Sequence, residues 1–106
     1  TINWNPIITK NKFFDIIAKF YKINIDNLFI KNTTTKMNLE STIRGLIIKY
    51  LTTNNILNLV QINNLFEVSF SRANLNFWKN KKLNKKNTII YDFIISIMDN
   101  YTIIWT

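Results

Sequence analysis

Apolar residues recur along this chain mostly at three- and four-residue spacings, the period of a helix with one buried face. Phe13, Ile16, Ile17 and Phe20 fall on one face of a predicted helix over residues 9–21. A short stretch, Ile23 to Phe29, follows, in which Asp26 is placed to cap a single turn that tucks Leu28 and Phe29 into the core. The alternation of Ile23 and Ile25 leaves a short strand open at the same place. Lys31-Asn32-Thr33-Thr34-Thr35-Lys36 reads as a polar loop. A second strong helix is predicted from about Asn38 to Leu51, with Ile43, Leu46, Ile47, Tyr50 and Leu51 facing inward.

Thr52-Thr53-Asn54-Asn55 ends that helix and supplies a cap for the next, Ile56 to Phe66, apolar at Ile56, Leu59, Ile62 and Phe66. Glu67-Val68-Ser69 reads as a tight turn. From Ser69 or Ser71 a fourth helix runs to about Lys82 and carries Leu75 and Trp78 inward. Asn87 is the expected cap of a last helix, with Ile89, Ile90, Phe93, Ile97 and Met98 available for the core. Residues 1–8, with Pro6 near the boundary, form a lead-in, and residues 101–106 form an apolar tail in which a strand stays open. Trp4 and Trp105, near the two ends, are placed to pack together. The expectation is an all-α fold: one compact bundle of five to six helices over residues 9–100, containing a helix-turn-helix, with no internal repeat and no linker.

Composition supports helices over hairpins. The chain has 106 residues, 47% of them hydrophobic and 14% aromatic, which suffices for one core. It has one Gly and one Pro, whereas hairpin-rich folds place Gly at turns with positive φ. No apolar run approaches the roughly 20 residues of a membrane span; the longest, Thr88 to Met98, is interrupted by Asp92 and Ser96. The opening residues lack a basic region followed by a continuous apolar segment, so they do not read as a signal peptide. Thr at position 1 suits a fragment or domain of a longer protein, or a processed chain.

The chemistry available to the chain is narrow. It contains no Cys and no His, which removes thiolate nucleophiles, Cys/His metal sites and every scheme that needs an imidazole. Six acids remain, Asp15, Asp26, Glu40, Glu67, Asp92 and Asp99, and they are scattered. Asp92 and Asp99 share a predicted helix with no reacting group nearby. The expectation is a binding domain with no catalytic residues, no cofactor and no metal.

A net charge of +8 favours polyanionic partners through released counterions. The chain is crowded with Ile, Asn and Lys, all with A/T-rich codons, so base composition supplies much of the lysine and discounts the charge argument. The third and fourth predicted helices, separated by three residues, have the outline of a helix-turn-helix, whose second helix enters the major groove. Ser69, Ser71, Arg72, Asn74 and Asn76 then stand where base edges are reached. Arg suits guanine and Asn suits adenine, although helix-turn-helix is also how small helical domains turn corners. Lys79, Lys81, Lys82, Lys85 and Lys86 form the densest charge run. On one helix they cannot all face the same way, but a fraying end brings several to phosphates; the plainer reading is a solvated helix C-terminus that favours cations. Trp78 reads as core.

The stretch from Phe13 to Lys31 resembles the opening of the C-terminal DNA-binding domain of the bacterial replication initiator DnaA. That family shows a pair of aliphatics, Ala, any residue, Tyr or Phe, Tyr, any residue and an aliphatic, then Leu-Leu and a Lys. Ile16, Ile17, Ala18, Phe20, Tyr21, Ile23, Leu28, Phe29 and Lys31 fall on those positions without a gap. Leu46 to Thr52 resembles the family's apolar helix ending in Leu-Thr. Leu59, Ile62 and Phe66 match its first helix-turn-helix helix after an insertion of two or three residues, and Lys81 to Leu83 with the final helix match its C-terminal region. The family's Gly-Gly-Arg-Asp-His signature is replaced here by Glu67-Val68-Ser69-Phe70-Ser71-Arg72-Ala73-Asn74.

The resemblance implies a Trp-repressor-like scaffold that binds duplex DNA, in the cytoplasm and on the nucleoid. Arg72, Asn74 and Asn76 would face bases, with Ser69 and Ser71 beside them, and Lys31, Lys36, Arg44, Lys79, Lys81 and Lys82 would contact phosphates. Two other readings stay open. One is a helical adaptor or small subunit that docks through the apolar ends, Trp4, Ile7, Ile8, Ile103, Ile104 and Trp105. The other is RNA binding within a ribonucleoprotein.

Overall fold

A computed structural model describes residues 5–29, 39–67 and 69–106. Within them the chain is an all-α bundle whose two ends are tied by a small ribbon. Strand β1 (Ile7–Thr9) leads into α1 (Lys10–Tyr21), a 3-10 turn at Ile25–Leu28 and then α2 (Leu39–Thr53). α3 (Leu59–Phe66), α4 (Arg72–Asn80), α5 (Lys85–Asn100) and strand β2 (Thr102–Ile104) complete it.

α2 is the axis of the bundle. Ile43, Arg44, Gly45, Leu46, Ile47, Ile48 and Leu51 are all buried, so most of its circumference is covered, as expected of a central helix. α4 and α5 both pack on it. The remaining core comes from Phe13, Phe14 and Ile17 of α1, Ile62, Leu65 and Phe66 of α3, Leu75 and Trp78 of α4, and Ile90, Ile94 and Ile97 of α5, with Leu28 from the 3-10 turn.

The buried face of α1 is turned relative to the sequence expectation. Phe14 and Ala18 join Phe13 and Ile17 inside, while Ile16 is half-buried and Phe20 is 61% exposed. Aromatic packing explains the phase: the Phe14 ring meets Phe29 at 5.0 Å and Phe66 at 5.7 Å. Phe20 instead stacks outside on Phe93, with centroids 4.0 Å apart. Thr9 caps α1 by accepting from the Lys12 N–H.

Caps also correct three other boundaries. Asn24, not Asp26, caps the 3-10 turn, its Oδ1 accepting from the Asp26 N–H at 3.0 Å; Ile23 and Ile25 form no strand. α3 starts at Leu59 and leaves Ile56 in the preceding loop, because Asn58 and Gln61 form a reciprocal capping box. α5 is capped three residues earlier than expected: Asn84 caps it and accepts from the Asn87 N–H at 2.8 Å. Ile89, expected in the core, is 63% exposed.

The strand left open in the tail is present, and its partner is the lead-in. β1 and β2 pair in parallel, with Ile7 opposite Thr102, Ile8 opposite Ile103 and Thr9 opposite Ile104. The Thr102 N–H donates to the Pro6 carbonyl at 2.9 Å, and the Asn5 amide donates to the Asp99 carbonyl at 2.8 Å. Alternation places Ile8 and Ile103 toward the bundle and leaves Ile7 and Ile104 outward. Trp105 packs edge-on against Phe13 at 5.3 Å. The expected partner Trp4 lies outside the described residues, as do the polar loop 31–36 and Val68.

Candidate nucleic-acid interface

The segment that holds the predicted base-reading residues is pinned at three points. First, the turn between α3 and α4 is closed by a side chain. The Phe70 N–H donates to Asn63 Oδ1 at 2.7 Å, and Asn63 Nδ2 donates to the Phe70 carbonyl at 3.2 Å. Phe70 also sets its ring against Phe66, centroids 6.2 Å apart. α3 is capped at its C-terminus by Glu67, which holds φ 56° and ψ 38° and donates its N–H to the Asn63 carbonyl. That left-handed conformation is the usual helix-ending geometry but is disfavoured for residues with a Cβ.

Second, Ser71 and Asn74 cap α4 reciprocally. The Ser71 N–H and Oγ both donate to Asn74 Oδ1, at 2.9 and 2.8 Å, and the Asn74 N–H donates to Ser71 Oγ at 3.2 Å. Third, the helix is held down along its length and at its end. Leu75 and Trp78 are buried, and Trp78 lies directly over Gly45, where any Cβ would collide with the indole. Lys49 of α2 donates to the carbonyls of Lys79 at 2.9 Å and Lys81 at 3.0 Å, with a longer contact to Trp78 at 3.5 Å. Its charge sits where the dipole of α4 is negative.

With Leu75 and Trp78 inward, the 3.6-residue period turns Ala73, Asn76, Phe77 and Asn80 outward. All four are exposed, Phe77 by 53%. Arg72 and Lys79 flank this face and line, with Asn76, a shallow cleft of about 210 Å³ shared with Asn55 and Asn58. Sequence reasoning named Asn76 but missed Ala73, Phe77 and Asn80. The signal was available, since the positions of Leu75 and Trp78 fix the opposite face.

The predicted base-contact set therefore divides. Arg72 and Asn76 stand on or beside the outward face and are exposed. Ser69 is exposed in the turn before the cap. Ser71 and Asn74 have their oxygens engaged in capping, which makes their first role structural. The predicted phosphate set divides as well. Lys79 and Lys82 are exposed. Lys81 is half-buried, with its Nζ 4.9 Å from the Phe77 ring centroid and 5.5 Å from that of Trp78. Lys31 and Lys36 lie outside the described residues.

Arg44 is a correction. It is 6% exposed, and its Nη1 donates to the carbonyls of Leu28 at 3.2 Å and Asn27 at 3.3 Å. Burial lowers its pKa from the ordinary value. A guanidinium bound to backbone inside the bundle ties α2 to the 3-10 turn and does not face solvent. The lysine run is also redistributed. It spans the end of α4, the link over 81–84 and the first turn of α5, where Lys85 and Lys86 add to the positive end of a helix dipole. Among the described residues, no ion pair engages these lysines or Arg72; Asp15 pairs with Lys19 at 3.0 Å and Lys12 at 3.9 Å.

Among the described residues there is no cluster of three or more side chains able to hold a metal ion, and no helix is long and apolar enough to cross a membrane. Comparison with protein-family models, characterised proteins and solved structures gives no match.

Proposed function

We propose that this domain binds duplex DNA, with α3 and α4 acting as a helix-turn-helix and α4 laid in the major groove. The observation that carries the reading is the outward face of α4 and what surrounds it. From residue 69 to residue 91 the chain holds Arg72, Lys79, Lys81, Lys82, Lys85 and Lys86 and not one Asp or Glu. Within this acid-free stretch lies a helix, α4, that is capped, pinned to the core and exposed along one side, with Arg72 and Lys79 on it and the other four cations after its end. Preorganisation of that kind lowers the ordering cost of binding. The apolar spacing that resembles the initiator DnaA adds support for a replication-initiator-like role on the nucleoid.

In this reading Arg72 and Asn76 meet base edges, with Ser69 at the rim, while Lys79 and Lys82 meet phosphates. Fluorescence anisotropy with a labelled duplex of about 20 base pairs tests it. Log affinity is expected to fall linearly with log salt, with a slope of about −0.9 for each phosphate neutralised. Lys79→Ala is expected to weaken binding to all sequences alike and to make the slope shallower by about one. Arg72→Ala is expected to change the ranking of sequences. Absence of measurable duplex binding at low salt would overturn the proposal.

A second reading draws on the ribbon. Ile7 is 68% and Ile104 45% exposed on the outer side of β1 and β2, which suits an adaptor that docks through its apolar ends. Light scattering that reports a dimer abolished by Ile7→Asp would favour it.

A further inference from the structure

Phosphate contacts do not account for one member of the α4 face. Phe77 is 53% exposed and shares that face with Ala73, Asn76 and Asn80, on the side of α4 away from Arg72 and Lys79. Its ring is held from two sides. The Trp78 indole meets it edge-on, with centroids 5.4 Å apart and an interplanar angle of 85°, and the Lys81 ammonium lies 4.9 Å from its centroid. An exposed ring fixed in this way is an apolar contact point on an otherwise amide-rich and basic surface.

The major groove has one apolar group to offer such a ring, the C5-methyl of thymine. The amide of Asn is matched to the adenine of the same pair. We infer that α4 prefers A·T base pairs, with Phe77, supported by the Ala73 methyl, packed on thymine methyl groups and Asn76 placed for adenine. The inference rests on the duplex-DNA reading and deepens it from a polyanion surface to a base preference. The Lys81 ammonium over Phe77, with Arg72 and Lys79 on the same helix and no acid between residues 69 and 91, favours a nucleic-acid occupant over an apolar protein surface.

Thymine and uracil differ only by the methyl in question. Three labelled 16-mer duplexes, alternating dA-dT, alternating dA-dU and alternating dG-dC, are titrated with wild type, Phe77→Ala and Phe77→Leu, each first checked for native helicity. Wild type is expected to bind dA-dT about fourfold more tightly than dA-dU for each methyl contacted, the ratio that burying one such group gives. Phe77→Ala is expected to bind those two equally, with an unchanged salt slope, while Phe77→Leu retains most of the preference. Equal wild-type binding to dA-dT and dA-dU, tighter binding to dG-dC, or a preference that survives Phe77→Ala overturns the inference and leaves duplex binding standing. Binding to none of the three removes the duplex reading and this inference with it. If Phe77→Ala does not fold, the wild-type ratio and Phe77→Leu decide.

Discussion

Gly45 is the chain's one glycine, and it stands in the middle of α2, where glycine costs about 1 kcal/mol relative to alanine. The cost is offset by the approach it allows: Trp78 occupies the space a Cβ would need. Gly45→Ala is therefore expected to destabilise the domain by about 1–3 kcal/mol despite better helix propensity, measured by urea denaturation. Adding Trp78→Phe should recover part of that loss, because the smaller ring frees volume beside the new methyl. Arg44 gives the second residue-scale prediction. Arg44→Met keeps bulk but leaves the Asn27 and Leu28 carbonyls without their donor, a loss of about 1–3 kcal/mol. Affinity of the folded fraction for DNA is expected to be unchanged, since the side chain is buried; a weakened duplex affinity with full stability would return Arg44 to the interface. At this scale the sequence was legible for Trp78 and Leu75, whose spacing marks an inward stripe. It was silent on Arg44, because whether an arginine meets solvent or a backbone carbonyl depends on what packs over it.

Helix existence was legible for all five α-helices, and most boundary errors trace to Asn. Asn24, Asn58 and Asn84 each cap an element, but a chain so rich in Asn offers a candidate every few residues, so pattern alone chose wrongly at Asp26 and Asn87. The ribbon escaped assignment for a different reason: three-residue strands carry almost no periodicity, and their pairing joins positions nearly a whole chain apart. The α3–turn–α4 unit was legible in outline, although residues 67–71 separate its helices where a three-residue turn was expected, and the hold of Lys49 on the end of α4 is revealed by no local pattern. Lys49→Met retains the apolar stem and removes the charged donor to the end of α4. A loss of about 1–2 kcal/mol is expected. Native-state hydrogen exchange should show faster opening in α4 than in α1, and equal protection in the two helices would contradict the capping role.

Across the whole molecule, the distribution of charge says more than its total. A net charge of +8 in a chain crowded with Lys and Asn can arise from base composition, which scatters lysine without regard to structure. The placement of the charges relative to the helices carries the structural information. The acids Asp15, Asp26, Glu40, Glu67, Asp92 and Asp99 all fall outside residues 69–91, where Arg72 and Lys79 lie on the pinned and exposed α4, Lys81 and Lys82 on the link after it, and Lys85 and Lys86 in the first turn of α5. The ribbon offers a second candidate contact surface, since Ile7 and Ile104 stand out from it. A single observation separates the two. Amide chemical-shift mapping of the labelled domain, titrated with a short A·T-rich duplex at low salt, reads the contact face directly. Duplex binding through α4 puts the largest shifts at Ser69, Arg72, Asn76, Phe77 and Lys79, with the ribbon undisturbed. Shifts centred on Ile7 and Thr102–Ile104, or no shifts under duplex excess, would contradict it.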